Sequence, residues 1–198
     1  RGKRVSETDL KRFRRLLAAV GLAPELANAV LDWMDADGEV RFPGGAEDDT
    51  YSRLDPPYRA ANGPFADPSE LRLVAGFDDK AYAALAPVVT ALPEPTPINV
   101  NTAAAPVLMA LADGLTNADA QALIEARGQN GFASVDAFLQ QDALAGRAVA
   151  AEGLAVTSGY FLVRSNIQVG DLQTHFYSIL ARNDSGAGIP IRRGRCAY

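Results

Sequence analysis

Seven carboxylates fall within the eighteen residues from position 32 to 49: Asp32, Asp35, Asp37, Glu39, Glu47, Asp48 and Asp49. Pro43, Gly44 and Gly45 separate them into two groups. Like charges at this density repel, and a folded chain normally disperses them. A hard cation removes the repulsion, because carboxylate and carbonyl oxygens are the ligands calcium prefers. Asp35, Asp37 and Glu39 alternate along the chain as at the start of an EF-hand loop, but the sixth position is not glycine and the twelfth is not glutamate. The loop is therefore not an EF-hand. A different all-oxygen site could draw on both groups, with Asp35, Asp37 and Glu39 from the first and Glu47, Asp48, Asp49 and Thr50 from the second. The residues by themselves also fit a solvated acidic surface loop.

Other chemistry has little to build on. His175 is the only histidine and Cys196 the only cysteine, which excludes an internal disulfide, a cysteine zinc site and a histidine-based nucleophile pair. No phosphate-binding or nucleophile-elbow motif is present. Two acids of the loop could in principle serve a glycosidase, but nothing else supports that chemistry, so no catalytic residue is assigned. The net charge of −5 argues against general nucleic-acid binding, which needs a basic footprint. The charge is uneven. Arg1, Lys3, Arg4, Lys11, Arg12, Arg14 and Arg15 open the chain, whereas residues 32–79 hold twelve of its twenty-four acids.

The elements that must position the acidic loop can be read from periodicity. Residues 6–20 form an amphipathic helix capped by Ser6 and ended by Gly21, with Leu10, Phe13, Leu17 and Val20 as its apolar stripe. A second helix runs from Pro24 to about Met34 and delivers the chain to the acids. Asp67-Pro68-Ser69-Glu70 is a helix start with a capping box. Residues 71–85 then align with 109–123 at an offset of 38: Pro68 with Pro106, Leu73 with Leu111, Gly76 with Gly114, Phe77 with Leu115 and Leu85 with Leu123. Each copy reads as helix, Gly-apolar turn, helix, and a fixed offset implies two small helical units packed together. Ser134–Leu139 is a short capped helix, and 140–155 an irregular connection.

After residue 155 the pattern changes to alternation. Phe161, Val163, Ser165, Ile167 and Val169 share one face of a strand, and Gly170-Asp171 turns it into a second strand through Leu172, Thr174, Phe176, Ser178 and Leu180. Ile189–Arg193 adds a short third strand. A hairpin alone is marginal, so its apolar face needs cover. The N-terminal helix is the natural candidate. The expected class is α+β: a helix on a small antiparallel sheet, residues 1–60 and 155–198, interrupted by an all-α insertion at 61–154 with two helix-hairpin-helix-like units. In nucleic-acid binders such hairpins hold phosphate on a Gly-apolar-Gly turn. Here the second glycine is absent from both turns, Gly76-Phe77-Asp78 and Gly114-Leu115-Thr116. A nucleic-acid-binding helix-hairpin-helix protein is thus the alternative, and a packing scaffold is favoured over it.

Four stretches carry a family resemblance: LDWMDADGEVRFPGGAEDDTY at 31–51, LDPPYRAANGPFADPSELRLVAGF at 54–77, LPEPTPINVNTAAAPVLMAL at 92–111 and RGQNGFASVDAFL at 127–139. Together they closely resemble the minor pseudopilin K family of type II secretion systems. The resemblance implies a pilin-like α/β domain interrupted by a helical one. It also implies a structural Ca2+ in the α/β domain and a non-catalytic role in capping a short pseudopilus with minor pseudopilins I and J. It further implies the periplasmic part of a bacterial inner-membrane-anchored protein, whose hydrophobic N-terminal helix is missing here. On that basis the stripe Leu10, Phe13, Leu17 and Val20 is the expected partner-facing element. The basic helix around it could otherwise sit on anionic headgroups. The methylated pilin-type N-terminus is absent, and the end IPIRRGRCAY carries no family hallmark.

Overall fold

The structure is a computed structural model that describes residues 6–183 and 185–195. Arg1, Lys3, Arg4 and Cys196 lie outside the described residues.

Helix α1 (Glu7–Ala19) begins where the Ser6 hydroxyl accepts the Asp9 N–H at 3.2 Å. It ends at Gly21, whose φ of +80° lets the Leu22 N–H reach back to the Leu17 carbonyl at 2.8 Å. Helix α2 (Leu26–Met34) follows, and a single turn, α3 (Asp48–Tyr51), closes the acidic loop. Asp67 and Glu70 form the expected capping box, but the segment Pro68–Leu73 winds as a 3-10 helix rather than an α-helix. Helix α4 (Asp79–Leu85) completes the first hairpin. Helices α5 (Ala105–Met109) and α6 (Asn117–Arg127) form the second, and α7 (Val135–Leu139) starts at the Ser134 cap.

The offset of 38 is visible in side-chain roles. Gly76 and Gly114 both sit at positive φ, +83° and +73°. Phe77 and Leu115 are buried, Asp78 and Thr116 cap the following helices, and Leu85 and Leu123 are almost fully buried. The two copies do not share one core, however. The first packs Leu71, Val74, Phe77 and Leu85 against Leu16, Leu17, Val30, Trp33 and Tyr51. The second gathers Leu108, Leu111, Leu115 and Leu123 with Val100, Phe132 and Phe138. Val107 touches both clusters. Because the first core draws on residues either side of 60, it runs across the boundary expected at 60/61.

Strands β1 (Ile98–Asn99) and β2 (Leu154–Ala155) pair in parallel and clasp the second unit. The region expected to be irregular thus ends in a strand. Asn101 locks the clasp: its Nδ2 donates to the Phe132 and Val156 carbonyls at 3.0 and 3.1 Å, and its Oδ1 accepts the Phe132 N–H at 2.6 Å.

Strands β3 (Tyr160–Val169), β4 (Leu172–Arg182) and β5 (Gly188–Arg195) form an antiparallel sheet in that order. Val169 pairs with Leu172 across the Gly170-Asp171 turn. Phe161, Val163, Ser165 and Ile167 face Leu180, Ser178, Phe176 and Thr174, the register that the alternation predicts. Helix α1 does not provide the expected cover for this sheet, because its main neighbours are α2 and α5. Phe161, Val163, Ile167 and Phe176 stay exposed, whereas Ile179 on the opposite face is buried. No helix of the described residues is long and apolar enough to cross a membrane.

Candidate metal centre

Helix α2 carries Asp32 in its last turn and hands over to Asp35 at its C-cap. Asp32 is fully buried. The chain then loops out through Asp37, whose Oδ1 accepts the Glu39 N–H at 3.0 Å, and returns through Arg41. Asp32 accepts the Arg41 N–H at 3.1 Å on Oδ2 and the Arg41 Nη1 at 2.6 Å on Oδ1. The same Nη1 donates to Oδ2 of Asp35. The turn closes with the Gly45 N–H on the Arg41 carbonyl at 2.8 Å. Gly45 lacks a side chain for a steric reason: a Cβ there would collide with Asp32 Oδ2 and with the Arg41 backbone.

Glu47 follows at the N-cap of α3 and is only 5% exposed. Asp35, Asp37 and Glu47 each direct one oxygen into a cluster no more than 4.8 Å across. Oδ1 of Asp35 and Oε1 of Glu47 are buried without any hydrogen-bond partner. Buried polar atoms are normally satisfied, so an orphaned carboxylate oxygen on two of the three converging residues calls for a ligand. Burial, then Asp32, Asp35, Asp37 and Asp48 in turn, push the Glu47 carboxyl up to about 7. The donor set is all oxygen and anionic, which fits a hard divalent cation such as calcium.

Of the seven residues expected as ligands, the fold brings together Asp35, Asp37 and Glu47. Glu39, Asp49 and Thr50 are exposed and lie outside that cluster. Asp48 points the other way, accepting the Ala60 N–H at 3.0 Å. The sequence reading missed Arg41, although it is the only basic residue between the two acidic groups, and that was the available signal.

The loop is seated on aromatic rings. Tyr51, fully buried, meets Trp33 edge-on at 5.2 Å and stacks on Tyr58 at 5.4 Å. Its hydroxyl accepts the Ala75 N–H at 3.3 Å, linking the loop to the first hairpin.

Of the expected partner stripe, one residue points into the core and three are half-buried. Leu17 is fully buried, and Leu10, Phe13 and Val20 pack against the first core. A core stripe and an interface stripe have the same periodicity, so sequence could not separate them. The basic face of α1 is also largely engaged within the chain. Arg12 is buried and donates to the Ala150 and Glu152 carbonyls at 2.9 and 2.6 Å. Arg14 donates to Asn28, and Arg15 makes a two-bond pair with Asp113 at 2.6 and 2.8 Å. These contacts remove three cations from a headgroup-facing surface.

The hairpin turns are similarly occupied. The Arg147 guanidinium covers Gly114, where a phosphate would have to approach. Arg127 donates to the Val100 and Ala103 carbonyls. His175 sits on the exposed sheet with Nδ1 at 2.7 Å from Asn166 Oδ1.

The arrangement of helical body and terminal three-stranded sheet has a counterpart among solved structures. The fold matches a chain in the crystal structure of the GspK-GspI-GspJ complex from enterotoxigenic Escherichia coli with a TM-score of 0.85 and 27% identity, covering 99% of this chain and 74% of that one. The class is therefore that of a type 2 secretion system component. Family models described as type II secretion system (T2SS), protein K, match residues 1–94 and 98–157, and the chain belongs to that family. It is 40% identical to the type II secretion system protein K of Pseudomonas aeruginosa over 94% of its length. It is 38% identical to that of Klebsiella pneumoniae over 91%. The chain spans 56% and 59% of the lengths of those relatives.

Proposed function

We propose that this chain is the periplasmic part of a non-catalytic minor pseudopilin K. It would cap the tip of the type II secretion pseudopilus in a complex with pseudopilins I and J. The observation that carries this reading is the fold likeness across 99% of the chain to a structure titled as the GspK-GspI-GspJ complex. In that role the helical body sits above its partners and blocks further subunit addition. The longer protein reaches the inner membrane through a segment outside this sequence. A structural calcium ion held by Asp35, Asp37 and Glu47 neutralises the loop and fixes α2 to α3. Its support is the pair of orphaned buried oxygens. The assembly is tested by mixing this protein with purified pseudopilins I and J and sizing the mixture by light scattering. A single species at the summed mass is expected; three independent peaks would refute the reading.

A further inference from the structure

The acidic loop contains its own cation, and its position is specific. Arg41 Nη1 carries two hydrogens. One goes to Asp32 Oδ1 at 2.6 Å and the other to Asp35 Oδ2. The Arg41 N–H takes the remaining oxygen of Asp32. Both oxygens of Asp32 are therefore engaged within the fold, where it is fully buried against Gly45 and lies outside the converging cluster. Asp35 is only half consumed. Its Oδ1 remains buried and unpartnered, as does Oε1 of Glu47, and the two residues belong to the same converging cluster.

We propose that Arg41 is the positioning residue of the cation site, holding Asp35 by Oδ2 so that it presents Oδ1 alone to the ion. This rests on the cation reading given above. A guanidinium stays charged at every working pH, so the clamp persists with or without the ion. The inference runs against simple electrostatics. A fixed positive charge beside a cation site weakens binding, so removing it should tighten binding if charge were all that mattered. If orientation dominates, removing it weakens binding, as loss of an outer partner of a ligand typically does.

The test is titration with calcium chloride by calorimetry, with Trp33 fluorescence as a second readout, on the wild type, Arg41→Gln and Arg41→Lys. Circular dichroism confirms the fold of each. Arg41→Gln is expected to lose affinity by about 10- to 100-fold. Arg41→Lys keeps the charge but not the planar fork, and is expected to fall between the two. Equal or tighter binding by Arg41→Gln overturns the proposal. Should Arg41→Gln fail to fold, wild-type affinity in Arg41→Lys overturns it. A wild type that binds no calcium overturns the cation reading itself, and this proposal with it.

Discussion

At the scale of single residues, the acidic loop is a problem in charge that the fold solves twice. Asp32 is answered by Arg41 inside the chain, whereas Asp35, Asp37 and Glu47 are left converging. Two unit charges at 4–5 Å cost about 3–4 kcal/mol at an effective dielectric near 20, so without a cation the cluster favours the protonated form of Glu47. That has a signed consequence. Between 4.5 and about 7 the folded state, with Glu47 raised, holds more protons than the unfolded chain. Stability in chelator therefore falls as pH rises through that window, and saturating calcium should flatten the fall. Thermal melts at steps of pH with EGTA or calcium measure this; parallel profiles would contradict it. Gly45→Ala is expected to cost about 1–3 kcal/mol, because the new methyl must displace Asp32 or the Arg41 backbone. Urea unfolding reads it directly. The presence of a charge anomaly was legible in the sequence, as was its all-oxygen chemistry. Which acids converge was not, since carboxylates are interchangeable until α2 and α3 fix their directions. Glu39, Asp49 and Thr50 belong to the same run yet face solvent.

At the scale of elements, periodicity was the reliable guide. Helix α1, its Ser6 cap, the β3–β4 turn and the 38-residue repeat all follow local patterns. What periodicity does not supply is the partner of each face. Leu17 was expected to meet another protein, but it is fully buried in the same core as Val30 and Trp33. Leu17→Ala should accordingly lower stability by about 2–5 kcal/mol in the isolated chain, measured by chemical denaturation. A role in an interface alone would leave that number near zero. Arg12 makes the same point for charge. It reaches carbonyls 138 and 140 residues away, a tie no local pattern announces. Arg12→Leu should cost about 2–3 kcal/mol by removing two charge-assisted hydrogen bonds. The β1–β2 clasp was missed for a related reason. Two residues per strand, 56 apart in register, give no periodic signal.

At the scale of the whole molecule, the acidic loop is the junction through which α1, α2 and the first hairpin share one core. Tyr51 enters that core directly from the loop and bonds the backbone at Ala75. An ion that orders the loop would therefore stabilise the body as a unit rather than a local turn. The class of the fold was legible because helical and alternating segments occupy separate stretches of sequence. The first core draws on residues either side of 60, a packing that no local pattern announces. The calcium ion proposed above would complete this junction. Thermal unfolding of the wild type in saturating calcium and in EGTA, at matched ionic strength and neutral pH, tests it most directly. At about 100-fold excess over Kd, linkage gives about 2.7 kcal/mol and so a rise of about 5–10 °C. An unchanged melting temperature would contradict it.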